Sequence, residues 1–371
     1  MNTIELKEWL LLNGGPAIQL NIKFSQINNK DIDINAVSEL LNIPKVKLIF
    51  NYIDGFNTQS RDKKTLEHLI HYYKDSCIDK FFPRLIDLGL TAGVPIFDEK
   101  MKLIREIFSF MLSQNYDYCY YYRLMLHQFF FMAGYNYQEV VNSMIQRLNK
   151  IHISAKECIY DIYQDKNNLP KVPKLWIDHG VLKDDLNPFS QLSKKPLPTI
   201  YDIKALAYFQ SIYTCSEMQK KINDIIKYIL DPAFQKIPEG YGLLWSKERR
   251  IYHACGWSPT LPFYESCDCS QQLRMNLLFD YLEIMSNFEV ARKSEWFIRS
   301  LSYFEQFKTE KGTYILPKDC FNNKYIEEAF LSKKNLSLKR NERQNIVCEV
   351  VSTLRMLKII ERCTTSMTAI F

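Results

Sequence analysis

Apolar residues along most of this chain return every three and four positions, which is the spacing of one face of an α-helix and not of a strand. Ile104, Ile107, Phe108 and Met111 share such a face, and Leu273, Leu277, Tyr281 and Met285 share another. Near the carboxyl end Val347, Val350, Val351, Leu354 and Leu357 repeat the pattern, while Arg343, Glu349 and Arg355 fall elsewhere on that helix. The period-two alternation of a half-buried strand is scarce. These spacings predict an all-α chain. Its 371 residues, 47% of them hydrophobic, suffice for a substantial core and for either a few domains or one large helical array.

Between Asp165 and Thr199 the helical spacing fails. This interval holds Pro170, Pro173, Pro188, Pro196 and Pro198, five of the fourteen prolines in the chain. Proline lacks an amide donor and pushes the residue before it toward extended backbone, so the segment reads as a connection and not as helix interior. The expected organisation is therefore a helical N-terminal region (1–165), a Pro-rich connection (166–199) and a helical region (200–371). Trp176, Ile177 and Phe189 are the side chains expected to pin the connection down.

Glycine clusters punctuate the helical pattern at Gly89 and Gly93, at Pro238 to Gly242, and at Gly312 to Pro317, each after a helical stretch. Glycine permits positive φ and proline stops a helix, so these are corner chemistry for stacked helical hairpins, as an internal repeat or as ordinary turns.

The most concentrated stretch runs from Asp231 to Tyr264, where Tyr241, Trp245, Tyr252, Trp257 and Tyr264 stand beside Arg249, Arg250 and His253. Aromatic faces hold a cation, a sugar or a base, and the same rings also serve as packing between helices. With the flanking glycines and polar groups, the stretch reads as the rim of a ligand pocket. His253 is a candidate proton relay near neutral pH. Asp268 is a candidate general acid if an aromatic cavity desolvates it and raises its pKa, and otherwise a solvated loop residue before a helix.

Gly240, Tyr241, Gly242 and Trp245, followed by Trp296, Phe297, Arg299, Phe304, Phe307, Gly312, Tyr314 and Pro317, resemble in their organisation the α/α-toroid proteins of the prenyltransferase, squalene-cyclase and terpene-cyclase-like superfamily. The likeness spans roughly residues 200 to 371. It implies a ring of helical hairpins around a central aromatic cavity, with Trp296 and Arg299 added to the candidate ligand-binding set. The enzymes' own signatures are missing. Asp31-Ile32-Asp33-Ile34 and Asp184-Asp185-Leu186-Asn187 do not fit the Asp-x-Asp-Asp acid motif of class II cyclases, and the Gln-Trp turn repeats are absent. No catalytic residue carries over from the resemblance.

Other constellations have simpler readings. His253, Cys255, Cys267 and Cys269 offer four zinc-type ligands, but one-residue gaps point neighbouring side chains awkwardly for a single tetrahedron, so reduced structural thiols, no metal and no cofactor are expected. His68 and His71, one helical turn apart, read as an exposed helix face. Arg292, Lys293, Glu295 and Arg299 read as a solvated stripe beside Trp296, the alternative being that Arg299 turns inward to meet an acidic or phosphorylated ligand. Lys333, Lys334, Lys339, Arg340 and Arg343 form the densest basic stretch, and a nucleic-acid face would need exposed aromatics among them. The net charge of +6, from 48 basic and 42 acidic residues, creates no strong field for polyanions.

The ten cysteines are scattered and not arranged as a disulfide framework. Glu5, Lys7 and Glu8 interrupt what a signal peptide would keep apolar. The most apolar run, Leu124 to Ala133, is broken by His127 and Gln128 and falls short of the about 20 residues that cross a bilayer. A cytoplasmic protein without a membrane span is expected. No phosphate-binding loop, dinucleotide fingerprint, nucleophile elbow or zinc-protease helix occurs. The leading expectation is a helical protein that binds an apolar or isoprenoid-like ligand in an aromatic cavity. The alternatives are a non-catalytic peptide-binding or protein-binding scaffold and an (α/α)-barrel acting on carbohydrate, which needs two facing carboxylates.

Overall fold

The computed structural model describes residues 1–25, 33–55, 63–71, 77–165, 167, 169–213, 215–265, 275–321 and 344–365. Helix makes up 64% of the protein, and among the described residues there are two strands of four residues each, so the fold is essentially all-α. Two compact units form, one from residues 1–107, 132–135 and 265–371, the other from 108–131 and 136–264.

The first unit contains α1 (Thr3–Asn13), α2 (Pro16–Ser25), α3 (Ile34–Leu41), α4 (Pro44–Asp54), α5 (Lys63–Ile70), α6 (Ile78–Asp87) and α7 (Pro95–Leu112) through Ile107. α1 starts where Asn2 Oδ1 accepts from the Ile4 and Glu5 amides while Glu5 Oε2 accepts from the Asn2 amide at 2.9 Å, a reciprocal cap. In α6 the buried residues Ile78, Phe81, Phe82, Leu85 and Ile86 keep the three-and-four spacing despite Pro83, which falls in the second turn. Gly89 and Gly93, between α6 and α7, have φ of +91° and +96°, as their corner role requires.

The second unit takes the remainder of α7, then α8 (Asp117–Met132), α9 (Gln138–Lys156), α10 (Ile200–Ile212), α11 (Ser216–Ile229) and α12 (Pro232–Gln235), followed by the hairpin of β1 (Leu243–Ser246) and β2 (Ile251–Ala254). α8 is buried on nearly every side, including Tyr120, Arg123, His127 and Gln128. A helix apolar all round belongs at the centre of its unit. α9 packs on α11.

The Pro-rich connection lies wholly within this second unit, and polar side chains hold its carbonyls. Ser154 donates to Lys195 O at 2.7 Å, Lys150 to Gln191 O at 2.7 Å, and Arg147 to Leu197 O at 3.1 Å. Phe189 meets the Tyr121 ring edge-on at 4.9 Å, and Trp176 packs against Val181, Leu243 and Tyr252. Ile177 stays exposed.

One buried ion pair organises the unit. Arg147 presents its Nε and Nη2 to Asp202 at 2.9 and 2.8 Å, side on, with both side chains almost fully buried. Asp202 also closes the cap of α10, accepting from the Thr199 amide and hydroxyl at 2.7 and 2.8 Å. Burial alone would raise the Asp202 pKa, yet the Arg147 guanidinium and the Thr199 hydrogen bonds bring it below the ordinary carboxylate value.

The first unit is completed by α13 (Met275–Met285), α14 (Glu289–Arg292), α15 (Glu295–Glu305) and α16 (Gln344–Thr365). Ser352 and Thr353 of α16 accept the Leu316 and Tyr314 amides, each at 3.0 Å, so the 313–316 segment is laced to that helix. Gly312, at the preceding corner, has φ of +87°.

The sequence spacing locates the core faces with two exceptions. Ile104, Ile107, Phe108 and Met111 are all buried, as are Val350, Val351, Leu354 and Leu357, with Val347 half-buried. On α13 Tyr281 and Met285 are buried as the spacing predicts, but Leu277 is exposed and Met275, Leu278, Phe279 and Leu282 complete the core; Leu273 lies outside the described residues. Arg355, which spacing sets off the apolar face of α16, is buried. Its guanidinium lies 4.3 Å over Phe279 and bonds to Asp280 and Glu283 at 2.7 and 2.5 Å. An arginine reads as surface in a periodicity argument until its counter-ions on another helix are known.

Candidate functional site

The 238–264 stretch folds as a short 3-10 turn (Glu239–Tyr241), the β-hairpin, and an irregular return. Gly240, Tyr241 and Gly242 have φ of +79°, +61° and +80° in succession, and Gly256 and Trp257 have +77° and +64°. The two runs meet backbone to backbone, because the Gly256 amide donates to Gly240 O at 2.8 Å and the Gly240 amide donates to Ser258 Oγ at 2.6 Å. A left-handed conformation costs a non-glycine residue roughly 1–2 kcal/mol, so Tyr241 and Trp257 are held there against their own preference.

Gly242 shows how tight this region is. A Cβ at that position would lie 2.4 Å from Gly180 O, whereas a Cβ at Gly256 would meet nothing within 4 Å. Gly242→Ala should therefore lose well over the about 1 kcal/mol expected of Gly256→Ala, whose only fault is its positive φ. Urea unfolding of the two variants compares them directly, and equal losses would contradict the packing described here.

Most of the five clustered rings have structural partners. Tyr241 is fully buried, packs edge-on against Phe234, and donates its hydroxyl to Pro198 O at 2.6 Å. Tyr252 donates to Pro170 O and Tyr264 to Leu230 O, both at 2.5 Å. Trp245 pairs with Tyr252 across the hairpin, ring centres 4.6 Å apart, and leans on the small cluster of Val181 and Leu243. Each hydroxyl thus ties an apolar ring to a backbone carbonyl.

Trp257 is different. Its side chain is 42% exposed, yet its ring lies 5.0 Å from that of buried Tyr201, and its carbonyl accepts from the Ile200 amide at 3.0 Å. From Tyr201 a continuous run of rings follows. Tyr121 lies 6.2 Å away and contacts both Phe189 and Tyr122; Tyr118 meets Tyr122 edge-on at 6.5 Å and stacks on Tyr116 at 5.4 Å and 13°. Tyr116, at the far end, is exposed. The strip therefore reaches solvent at both ends, with Tyr122 and Tyr201 buried and Tyr118, Tyr121 and Phe189 half-buried in between. Of its members, sequence pattern points to Trp257 for ligand contact and to Phe189 for packing. Tyr116, Tyr118, Tyr121 and Tyr122 are not among the residues that sequence pattern singles out, although they stand together in the run Tyr116 to Tyr122, five of whose seven residues are Tyr.

The remaining candidates are dispersed. Arg249 and His253 face solvent on the hairpin, and the His253 pKa is lowered, chiefly by partial burial of its ring and then by Arg249, which leaves it neutral at pH 7. Asp268 lies outside the described residues, as do Cys267, Cys269 and the basic stretch from Lys333 to Arg343. Trp296 is buried on α15 and Arg299 half-buried there, both in the first unit, whereas the hairpin and the strip belong to the second. Cys255 is buried, and burial pushes its thiol pKa up. His71 is paired with Asp79 at 2.5 Å. Among the described residues, no three His, Cys, Asp or Glu side chains gather as a metal site, and no helix is long and apolar enough to cross a membrane. Compared with protein-family models, with curated proteins and with solved structures, the chain matches none.

Proposed function

We propose that the protein is a helical binding protein that holds an apolar or flat ligand on the aromatic strip ending in Trp257. One observation carries this reading: a large exposed indole is fixed in left-handed backbone against Tyr201, at a cost in conformation and in apolar exposure that packing alone does not explain. The polar tips of Tyr241, Tyr252 and Tyr264 are engaged by carbonyls, so those rings support the platform and the ligand meets Trp257. A ring of hairpins is the finer architectural proposal; its support is that the glycine corners at 89–93, 240–242 and 312 all carry the positive φ expected of them.

The test is a titration with a prenyl alcohol, a neutral oligosaccharide and an unstructured peptide, following tryptophan emission and melting temperature. The prenyl alcohol should shift both, and Trp257→Ala should weaken binding roughly tenfold, the worth of about 1.5 kcal/mol of ring contact. Unchanged affinity in that variant would remove the proposal. A second reading, a protein or peptide partner, is favoured by Leu175 and Ile177, which stand exposed on either side of Trp176. Binding of the peptide alone, lost in a Leu175→Ser/Ile177→Ser variant, would select it.

A further inference from the structure

The second unit contains more buried positive charge than its carboxylates neutralise. Arg123 and Arg147 flank one ring, their guanidinium carbons 5.1 and 5.9 Å from the centre of Tyr120. Lys150 and Arg123 converge on Gln191, the first donating to its backbone carbonyl at 2.7 Å and the second to its side-chain Oε1 at 3.1 Å. Arg147 has Asp202 as its counter-ion. Among the described residues neither Arg123 nor Lys150 has a carboxylate partner.

The two arginines make an internal comparison. Arg147 offers its Nε and Nη2 as a parallel fork, and Asp202 takes both. Arg123 has only a neutral amide on Nη2, and its buried Nε has no hydrogen-bond partner among the described residues, although the residue is 7% exposed. That edge fits one planar or tetrahedral oxyanion and is otherwise costly to bury half-satisfied. Burial lowers the pKa of Arg123, and burial with the neighbouring Arg147 and Arg123 lowers that of Lys150, as expected for crowded cations awaiting an anion.

Access is through Gln191. Its amide donates to Asp117 Oδ1 at 3.2 Å, with Ser190 Oγ on the same oxygen at 3.1 Å, and its carbonyl is held by Lys150. The backbone is thus anchored on two sides and the side chain alone can swing away. We propose that Arg123 Nε and Nη2, together with Lys150 Nζ, form an oxyanion site for a phosphate or carboxylate group, which enters by displacing the Gln191 side-chain amide. The inference does not rest on the aromatic strip and is tested without it.

The probes are inorganic phosphate and acetate, each measured against chloride at matched ionic strength by calorimetry and melting temperature. Binding of either should raise the melting temperature, and the stronger of the two names the group. Arg123→Gln should weaken it roughly ten- to hundredfold, and Lys150→Gln by less. Gln191→Glu covers the case in which Arg123→Gln fails to fold: the new carboxylate occupies the fork from within, so the variant should melt higher than the parent and no longer respond to the anion. A parent that responds to neither anion beyond chloride, or a Gln191→Glu variant that melts no higher and still responds, would overturn the site.

Discussion

Asp202→Ala should remove about 3–5 kcal/mol of stability, among the largest losses available to a single substitution in this chain. The cause is twofold. The Arg147 guanidinium, buried and drawn to Asp202 at 2.8 Å, would be left as an uncompensated charge, and the first turn of α10 would lose the carboxylate that accepts from Thr199. Asp202→Asn keeps the volume and one acceptor but not the charge, and should fall between. Removing the exposed Lys293–Glu289 pair should cost less than about 0.5 kcal/mol, because solvent screens it. Replacing Arg147 and Asp202 together with methionine and leucine should recover part of the loss, since no charge is then stranded. Urea denaturation followed by circular dichroism provides all four comparisons. An Asp202→Ala loss no larger than that of the surface pair would contradict the role assigned to this ion pair.

The second large effect is a pH dependence centred on His127. Its ring is buried on α8 between Phe108 and Phe131, 5.4 and 6.3 Å away, with Nε2 3.1 Å from Ser143 Oγ. Burial, reinforced by the Arg123 and Arg147 charges and opposed by Asp202, lowers its pKa to about 3. An unfolded chain binds that proton below pH about 6.5, whereas the folded protein refuses it until pH about 3. Stability from this site is therefore complete above pH about 6.5 and is lost as pH falls toward 3, by an amount on the order of 5 kcal/mol. His127→Phe keeps an aromatic ring in the same apolar setting and has no proton to gain. The difference in stability between parent and variant should shrink or change sign between pH 6.5 and 4, and a difference independent of pH would show that the buried imidazole is not what titrates.

These two features mark the limit of what the sequence discloses. Periodicity reads apolar faces well because burial of Ile104, Phe108 or Leu354 depends on neighbours three and four residues away. It does not find Arg147 and Asp202, whose pairing joins α9 to the start of α10 across a proline-rich segment without periodicity. The same separation hides Arg355, whose partners Asp280 and Glu283 lie on α13. Glycine corners are legible because positive φ is a property of one residue. The roles of the rings are not, since Tyr241 and Trp257, both aromatic and both at positive φ, differ only in what surrounds them: Pro198 O and Phe234 enclose the first, and solvent meets the second.

The most direct test of the proposed function is fluorine NMR of protein labelled with 5-fluorotryptophan, the Trp257 resonance being assigned by its loss in Trp257→Phe. Titration with a prenyl alcohol should move that resonance first, while those of Trp245 and Trp176 stay in place. Movement of the Trp245 or Trp176 resonance with Trp257 unchanged, or no response from any of the five tryptophans, would contradict the account.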